Sequence, residues 1–203
     1  MKFTLGTKVS MTQVFDGEGV AYPATVLSAG PLTVTTLRTL EKDGYTAVQV
    51  GFGVQKESRV NKAQKKLGAF RHIAEFRVAP DMLATFKVGD KVDISTFKEG
   101  DLVTASATSK GKGFQGAVKR HHFKGGSRTH GQKHSEREVG SINGGGRVGS
   151  GRVAKGKRMP GRMGGDMVTV KNLKVLQVRP ESNELVLHGS LPGPKGTLVS
   201  ITA

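Results

Sequence analysis

The sequence predicts a mainly β protein: a small closed β-barrel with an inserted small α+β elaboration and a long basic, glycine-rich loop extension. Short segments rich in Val, Thr and Tyr, separated by turn residues, recur near both ends of the 203-residue chain. Many short strands with turns between them favour a closed barrel. Residues 107–165 differ, because they hold 14 of the 32 Lys and Arg residues and 16 of the 29 glycines. We interpret this segment, the basic arm, as the loop extension.

Residues 1–53 are predicted to form the first part of the barrel. Three segments have the composition of strands: "GVAYPATVLSAG" (19–30), "LTVTTLRTL" (32–40) and "YTAVQVGFG" (45–53). The dipeptide Gly30–Pro31 separates the first two segments. The tetrapeptide "EKDG" (41–44) is typical of a hairpin-type loop between the second and the third.

Residues 54–95 are predicted to form the small α+β elaboration. "NKAQKKLGAF" (61–70) favours a short basic helix that ends near Gly68. "AEFRV" (74–78) favours a strand, and Asp81 is a candidate cap for the helical turn that follows.

Two later regions are predicted to complete the barrel, a strand region at 96–106 and a last part at 166–203. The last part contains three strand-like segments: "MVTVKNLKVLQVRP" (167–180), "NELVLHGSLPG" (183–193) and "GTLVSITA" (196–203). Residues 181–183, "ESN", form the turn between the first two. Because strand patterns occur at both ends of the chain, we expect both ends to lie in one barrel, with the middle inserted.

The charge of the chain indicates a polyanionic partner. The 32 Lys and Arg residues against 16 Asp and Glu residues give a formal net charge of +16, of which the basic arm carries +12. The absence of Cys excludes disulfides and thiolate metal sites. No apolar segment approaches the ~18 residues of a membrane-spanning helix, and the first residues lack the apolar core of a secretory signal. We expect a cytoplasmic protein without a membrane partner.

The basic arm alternates cations with glycine, so its backbone can approach a surface closely while the cations reach phosphates. Residues 114–123 favour a short helix. Phe114 and Phe123 are the only aromatic residues of the arm, which favours recognition of phosphates and of RNA shape over base stacking. The predicted RNA-contacting residues are Lys110, Lys112, Lys119, Arg120, Lys124, Arg128, Lys133, Arg137, Arg147, Arg152, Lys155, Lys157, Arg158 and Arg162.

A flexible linker or a solubilising segment is the alternative interpretation of such a composition. The arm is internal, however, and strands of one predicted barrel flank it. Long loops of this kind are usually functional or disordered.

Catalysis, a cofactor, a metal site and a small-molecule substrate are not predicted. The glycine-rich motifs lack the GxxxxGK[ST] pattern of a phosphate-binding loop. His130 and His134 have the i, i+4 spacing of a helical metal site, but Gly131 disfavours a helix there and no HExxH pattern is present. The wider cluster comprises His121, His122, His130, His134, Glu136 and Glu138.

Several long motifs resemble the bacterial type of the large-subunit ribosomal protein three family. The segments are "GTKVSMTQVF" (6–15), "DGYTAVQVGF" (43–52), "TSKGKGFQGAVKRHHFKGG" (108–126), "AKGKRMPGRMG" (154–164) and "VTVKNLKV" (168–175). The resemblance runs almost from end to end. The family's arm tip often carries a glutamine that is methylated in some bacteria, and no glutamine lies between residues 140 and 165. The resemblance therefore does not imply this methylation here.

The resemblance implies a translation-factor-type barrel on the outer face of the large ribosomal subunit. It implies an early assembly protein that binds large-subunit rRNA beside large-subunit proteins fourteen and nineteen. It also implies that the arm runs inward to the peptidyl transferase centre. The residues of the implied tip are Ser141, Ile142, Asn143, Gly144, Gly145, Gly146 and Arg147. Two other hypotheses stay open at this point, a free-standing RNA chaperone or nucleoid-type binder and a metal-dependent RNA enzyme.

Overall fold

The computed structural model describes residues 2–142 and 153–203, and these divide into two compact units. The first, Met1–Thr108 with Met167–Ala203, is called the barrel unit here. The second, Ser109–Asp166, contains nearly all of the basic arm and is called the arm unit. Across the described residues, no helix is long and apolar enough to cross a membrane.

The barrel unit begins with strands and short helical turns in close succession. In chain order these are β1 (Phe3–Phe15), β2 (Ala21–Ser28), β3 (Leu32–Arg38), α1 (Leu40–Asp43), β4 (Ala47–Val54), β5 (Phe70–Arg77), α2 (Pro80–Leu83), β6 (Lys91–Val92) and β7 (Leu102–Thr108). The arm unit then contributes β8 (Phe114–Gln115), α3 (Ala117–His121) and β9 (Gly161–Arg162). The barrel unit ends with β10 (Met167–Arg179), β11 (Glu184–His188) and β12 (Leu198–Thr202).

Six strands close into an antiparallel barrel in the order β1–β12–β7–β10–β11–β2. Alternate residues of these strands point inward and are fully buried, among them Leu27, Val103, Val175, Leu185 and Ile201. Strand β1 pairs with β12 through Phe3 and Thr202, so both ends of the chain lie in the barrel as expected. The predicted mainly β fold with a closed barrel is confirmed.

The arm unit is inserted between β7 and β10, which are neighbours in the barrel. Thr108 pairs with Met167, so the chain leaves the barrel and returns to it at one position of the ladder. The insertion therefore interrupts neither strand, and the pairing of β7 with β10 extends to the point where the chain leaves the barrel.

A second sheet of four strands, in the order β5–β4–β3–β6, completes the barrel unit. It packs on a second core, to which barrel strand β1 also contributes: the ring of Phe3 stacks on that of Phe76 with centroids 4.6 Å apart. The boundary predicted at residue 53 placed β3 and most of β4 in the barrel. In the structure these two strands pair with each other and with β5 and β6 instead. The first six residues of β4 are buried, because β4 lies between two other strands of its sheet. Their Val-rich composition resembles that of a barrel strand, so composition alone does not separate the two sheets.

Three local predictions differ in detail from the structure. The loop at 41–44 does join two antiparallel neighbours, β3 and β4, but its residues 41–43 belong to the helical turn α1, which Gly44 closes at a φ of 76°. Residues 61–70 form no α-helix; a short 3₁₀ turn at Lys65–Leu67 ends at Gly68, because Lys and Gln side chains there have no apolar face to bury. Asp81 does not cap α2, because the helix begins at Pro80 and Asp81 lies inside its first turn; Ala79 occupies the N-cap position and makes no side-chain hydrogen bond there.

Candidate nucleic-acid interface

The two ends of the arm unit form an antiparallel backbone ladder. The amide of Ser109 donates to the carbonyl of Asp166 at 2.9 Å, and the amide of Lys112 donates to the carbonyl of Met163 at the same distance. The amide of Met163 donates to the carbonyl of Gly113, also at 2.9 Å. Strands β8 and β9 continue the pairing. This ladder places Lys110, Lys112 and Arg162 side by side on one short ribbon.

The ladder depends on glycine at one position in particular. Gly164 has a φ of 73°, and a Cβ at that residue would overlap the carbonyl oxygen of Lys110. Any other residue there is strained in backbone conformation and is also excluded by backbone contact. Glycine thus lets two cationic segments approach each other closely.

Helix α3 is shorter than the predicted helix over 114–123. Gly116 stands at its N-cap, and His122, at a φ of 59°, ends it after five residues. Ala117 is the only fully buried apolar residue among the described residues of the arm unit. A helix with so little apolar surface cannot extend further by burial.

Arg120 holds α3 against the returning segment. Its Nη1 donates to the carbonyl oxygen of Met159 at 2.7 Å, and the Nε2 of His121 lies 3.1 Å from the same oxygen. A Cβ at Gly161 would stand 2.8 Å from Nη1 of Arg120, so the guanidinium packs directly on the glycine backbone. Arg120, predicted to contact RNA, is therefore partly engaged inside the arm unit.

A second close approach joins residues 125–126 to residues 135–136. The amide of Gly126 donates to the carbonyl of Glu136 at 2.9 Å, and a Cβ on Gly125 would overlap that same oxygen. The carboxylate of Glu136 pairs with Nε of Arg128 at 2.5 Å. Residues 122–126, 135 and 138–140 line an open cleft of about 610 Å³.

The predicted RNA-contacting cations are overwhelmingly exposed. Eleven of the twelve that the structure describes have exposed side chains, and Arg120 is half-buried. Arg128 is the only one of them in an ion pair with a described residue. The exposed residues are Lys110, Lys112, Lys119, Lys124, Arg128, Lys133, Arg137, Lys155, Lys157, Arg158 and Arg162. Arg147 and Arg152 lie outside the described residues.

The implied arm tip is mostly outside the described residues as well. Ser141 and Ile142 are described and exposed, whereas Asn143 and Gly144–Gly146 are not described. The tip therefore stays a prediction from the sequence.

The histidine cluster does not have the geometry that helical spacing suggests. His130 has a φ of 57° and Gly131 one of 80°, so the segment turns between His130 and His134. Within 2–142 and 153–203, no group of three or more His, Cys, Asp or Glu side chains is placed to hold a metal ion. The ring of Phe123 lies 5.9 Å from that of His121, and Phe114 is 77% exposed.

Sequence reasoning missed the internal roles of Arg120 and Gly164. Both lie in a region whose composition indicates only charge and flexibility. The sole sequence signal is a short pattern. In "RMPGRMGG" (158–165) an Arg–Met pair followed by glycine occurs twice, and the segment that pairs with it, "KGKG" (110–113), alternates Lys with Gly. Pairing of these two segments brings cations, rather than apolar side chains, into register.

Comparison with known proteins now identifies the family. The family described as Ribosomal protein L3 matches residues 45–185. The large ribosomal subunit protein uL3 of Chloroherpeton thalassium is 46% identical over 211 residues, covering 99% of this chain and 98% of that protein. The uL3 of Chlorobium limicola is 44% identical, covering 98% of this chain and 97% of that protein. The uL3 of Dehalococcoides mccartyi strain 195 is 44% identical, covering 97% and 95%. The resemblance stated from the sequence is confirmed, and the chain belongs to the ribosomal protein L3 family.

Proposed function

We propose that the chain is a structural constituent of the large ribosomal subunit whose arm unit binds large-subunit rRNA. Membership of the ribosomal protein L3 family supports the first part, and the protein is not an enzyme. In bacteria the large subunit is cytoplasmic, as is this protein. The partners are the large subunit, its rRNA and its proteins.

The observation that carries the rRNA proposal is the unbalanced charge of the arm unit. Its described residues include twelve Lys and Arg against three acidic residues, and eleven of the twelve cations are exposed. Of these eleven, Arg128 alone has a protein counter-charge within the described residues. RNA phosphates supply the missing negative charge, and counterion release favours the complex.

The finer proposal gives the arm a position and the protein a place in assembly. The barrel unit serves as a platform, the arm runs inward, and residues 141–152 buttress rRNA near the peptidyl transferase centre. The protein binds early in assembly, and large-subunit proteins fourteen and nineteen are its neighbours. These statements rest on the family resemblance together with the length and charge of the arm.

The test is binding to purified large-subunit rRNA across a range of salt concentrations. If about eight of the exposed cations meet phosphates, the log–log slope is about −6 to −7, taking ~0.7–0.9 per contact. A slope near −2 would mean that few arm cations touch phosphate. Sedimentation after a high-salt wash separates the alternative, because a free-standing RNA chaperone is stripped from large subunits and a constituent stays bound.

A further inference from the structure

A second basic surface lies in the barrel unit, on the connection between β4 and β5 together with the first two residues of β5. This basic connection, residues 55–71, holds six Lys and Arg and one acid, Glu57, for a net charge of +5. Outside it and the basic arm, the rest of the chain has twelve Lys and Arg and thirteen acidic residues, a net charge of −1. The positive charge of the barrel unit is therefore concentrated in one short connection.

All six cations of the basic connection are exposed, and none pairs with an acid among the described residues. They are Lys56, Arg59, Lys62, Lys65, Lys66 and Arg71. Elsewhere in the barrel unit some cations are paired, Lys2 with Asp101, Arg38 with Asp43 and Glu75, and Arg179 with Glu184, and the other cations are not clustered on one connection. Exposed cations without partners retain their full attraction for an external anion.

The backbone of the basic connection is held in place by the sheet. The amide of Gln55 donates to the carbonyl of Ala69 at 2.9 Å and closes the loop at its base. The Nε2 of Gln55 donates to the carbonyl of Arg59, also at 2.9 Å. The ring of Phe70 packs so closely on Gly51 and Gly68 that a Cβ at either glycine would overlap it. A loop that is already ordered loses little entropy on binding.

The composition of this surface fits a phosphate backbone better than a protein. No large apolar side chain of residues 55–71 is exposed, and Phe70, their only aromatic residue, is half-buried. Protein interfaces are enriched in aromatic anchors and depleted in Lys, whereas phosphate contacts need only cations at the surface. Four of the six cations are Lys.

We propose that the basic connection is a second rRNA-binding surface that contacts phosphates independently of the arm. The inference rests on the proposed function, because it takes the same rRNA as its ligand. It assigns contacts to the phosphate backbone and none to base edges or base faces.

The test compares two triple variants of the full chain, each of which loses three positive charges. One carries Lys62→Gln, Lys65→Gln and Lys66→Gln. The matched control carries Lys42→Gln, Lys87→Gln and Lys195→Gln, at exposed positions of the same unit. Binding to protein-free large-subunit rRNA is measured over a range of salt concentrations, and unchanged thermal midpoints establish that both variants fold.

The first variant is expected to flatten the log–log salt slope by about 2 to 3, with affinity about tenfold to a hundredfold lower near physiological salt. The control is expected to leave the slope unchanged. Equal effects in the two variants would overturn the proposal, since affinity would then follow total charge alone. Unchanged RNA binding with reduced entry into assembling subunits would also overturn it and would indicate a protein partner.

A third variant separates this inference from the proposed function. Lys155→Gln, Lys157→Gln and Arg158→Gln remove three cations of the arm unit. If this variant weakens binding and the basic-connection variant does not, the inference fails and the proposed function stands. If only the basic-connection variant weakens binding, the inference stands and the role of the arm fails.

Discussion

Different interactions stabilise the barrel unit and the arm unit. The barrel unit buries two clusters of aliphatic and aromatic side chains, including Leu5, Leu185 and Ile201. The described part of the arm unit buries one apolar side chain fully, that of Ala117, and is organised by backbone hydrogen bonds and glycine contacts. The difference shows that a segment without an apolar core can be ordered by backbone hydrogen bonds and close glycine contacts. Most side chains of such a segment are then exposed and can contact a ligand.

The two units also differ in how they treat charge. In the barrel unit, Arg38 and Glu75 form part of a network in which Tyr45 and Gln49 also donate to the carboxylate. In the arm unit, one ion pair, between Arg128 and Glu136, joins described residues. Three cations of the barrel unit, Lys2, Arg38 and Arg179, are paired with acids, whereas eleven of the twelve described cations of the arm unit are paired with no described acid.

The largest effect is expected from emptying the barrel core. Leu185 is fully buried, so Leu185→Ala removes apolar contacts and leaves a cavity that costs about 2–5 kcal/mol of unfolding free energy. Urea unfolding of the full chain measures it. Leu102, which is 62% exposed, provides the control, because Leu102→Ala is expected to change stability by less than about 0.5 kcal/mol. Equal losses would contradict a stability that rests on the buried cluster.

A smaller but local effect is expected from Gly164→Ala. The left-handed backbone costs a non-glycine residue about 1–2 kcal/mol, and the added Cβ overlaps the carbonyl of Lys110. Amide exchange should quicken at Lys112 and Met163 while the barrel keeps its thermal midpoint. Gly111→Ala is the control, since nothing lies within 4 Å of a Cβ there. Loss of barrel stability in the Gly164 variant would show that the two units unfold as one.

Arg120 and its neighbour Lys119 are a matched pair of cations, of which only Arg120 is expected to affect the stability of the arm unit. A hydrogen bond from a charged group contributes about 1.5–3 kcal/mol, and because Arg120 is only half-buried we expect about 1–2 kcal/mol. Arg120→Gln removes the bond to the carbonyl of Met159, so amide protection in the arm unit should fall along with RNA affinity. Lys119 is exposed, so Lys119→Gln should lower RNA affinity and leave amide protection unchanged. Identical exchange patterns would mean that Arg120 does not organise the arm unit.

The sequence predicts the barrel from strand composition, the basic arm from charge and the family from long motifs, because all three are local signals. It could not assign β3 and β4 to their sheet, since strands of both sheets share one composition and only pairing separates them. It also treated all fourteen arm cations alike. The role of Arg120 depends on Met159, which is 39 residues away along the chain and adjacent only after the ladder forms.

The smallest effect is expected from the charge network of the barrel unit. The hydroxyl of Tyr45 donates to Glu75 at 2.8 Å, and this bond, together with those from Arg38 and Gln49, holds the pKa of the Glu75 carboxyl below its usual value of 4.5. A carboxyl whose pKa is lowered by folding stabilises the protein above its unfolded-state pKa. That contribution is lost as the pH falls through the lower, folded-state pKa.

Glu75→Gln should therefore lower the unfolding free energy at neutral pH by a few tenths of a kcal/mol to about 1 kcal/mol, since the network is partly exposed. Below pH 4.5 the difference from the parent protein should shrink, because the carboxyl is first protonated in the unfolded chain and then, at its lower folded-state pKa, in the folded protein as well. Urea unfolding at pH 7 and at successively lower pH measures both quantities. Glu181→Gln, at an exposed position in the β10–β11 turn, is the control and should leave the difference near zero at every pH. A deficit that persists unchanged into acid would mean that Glu75 acts through packing and neutral hydrogen bonds, and that its charge adds little to the stability of the barrel unit.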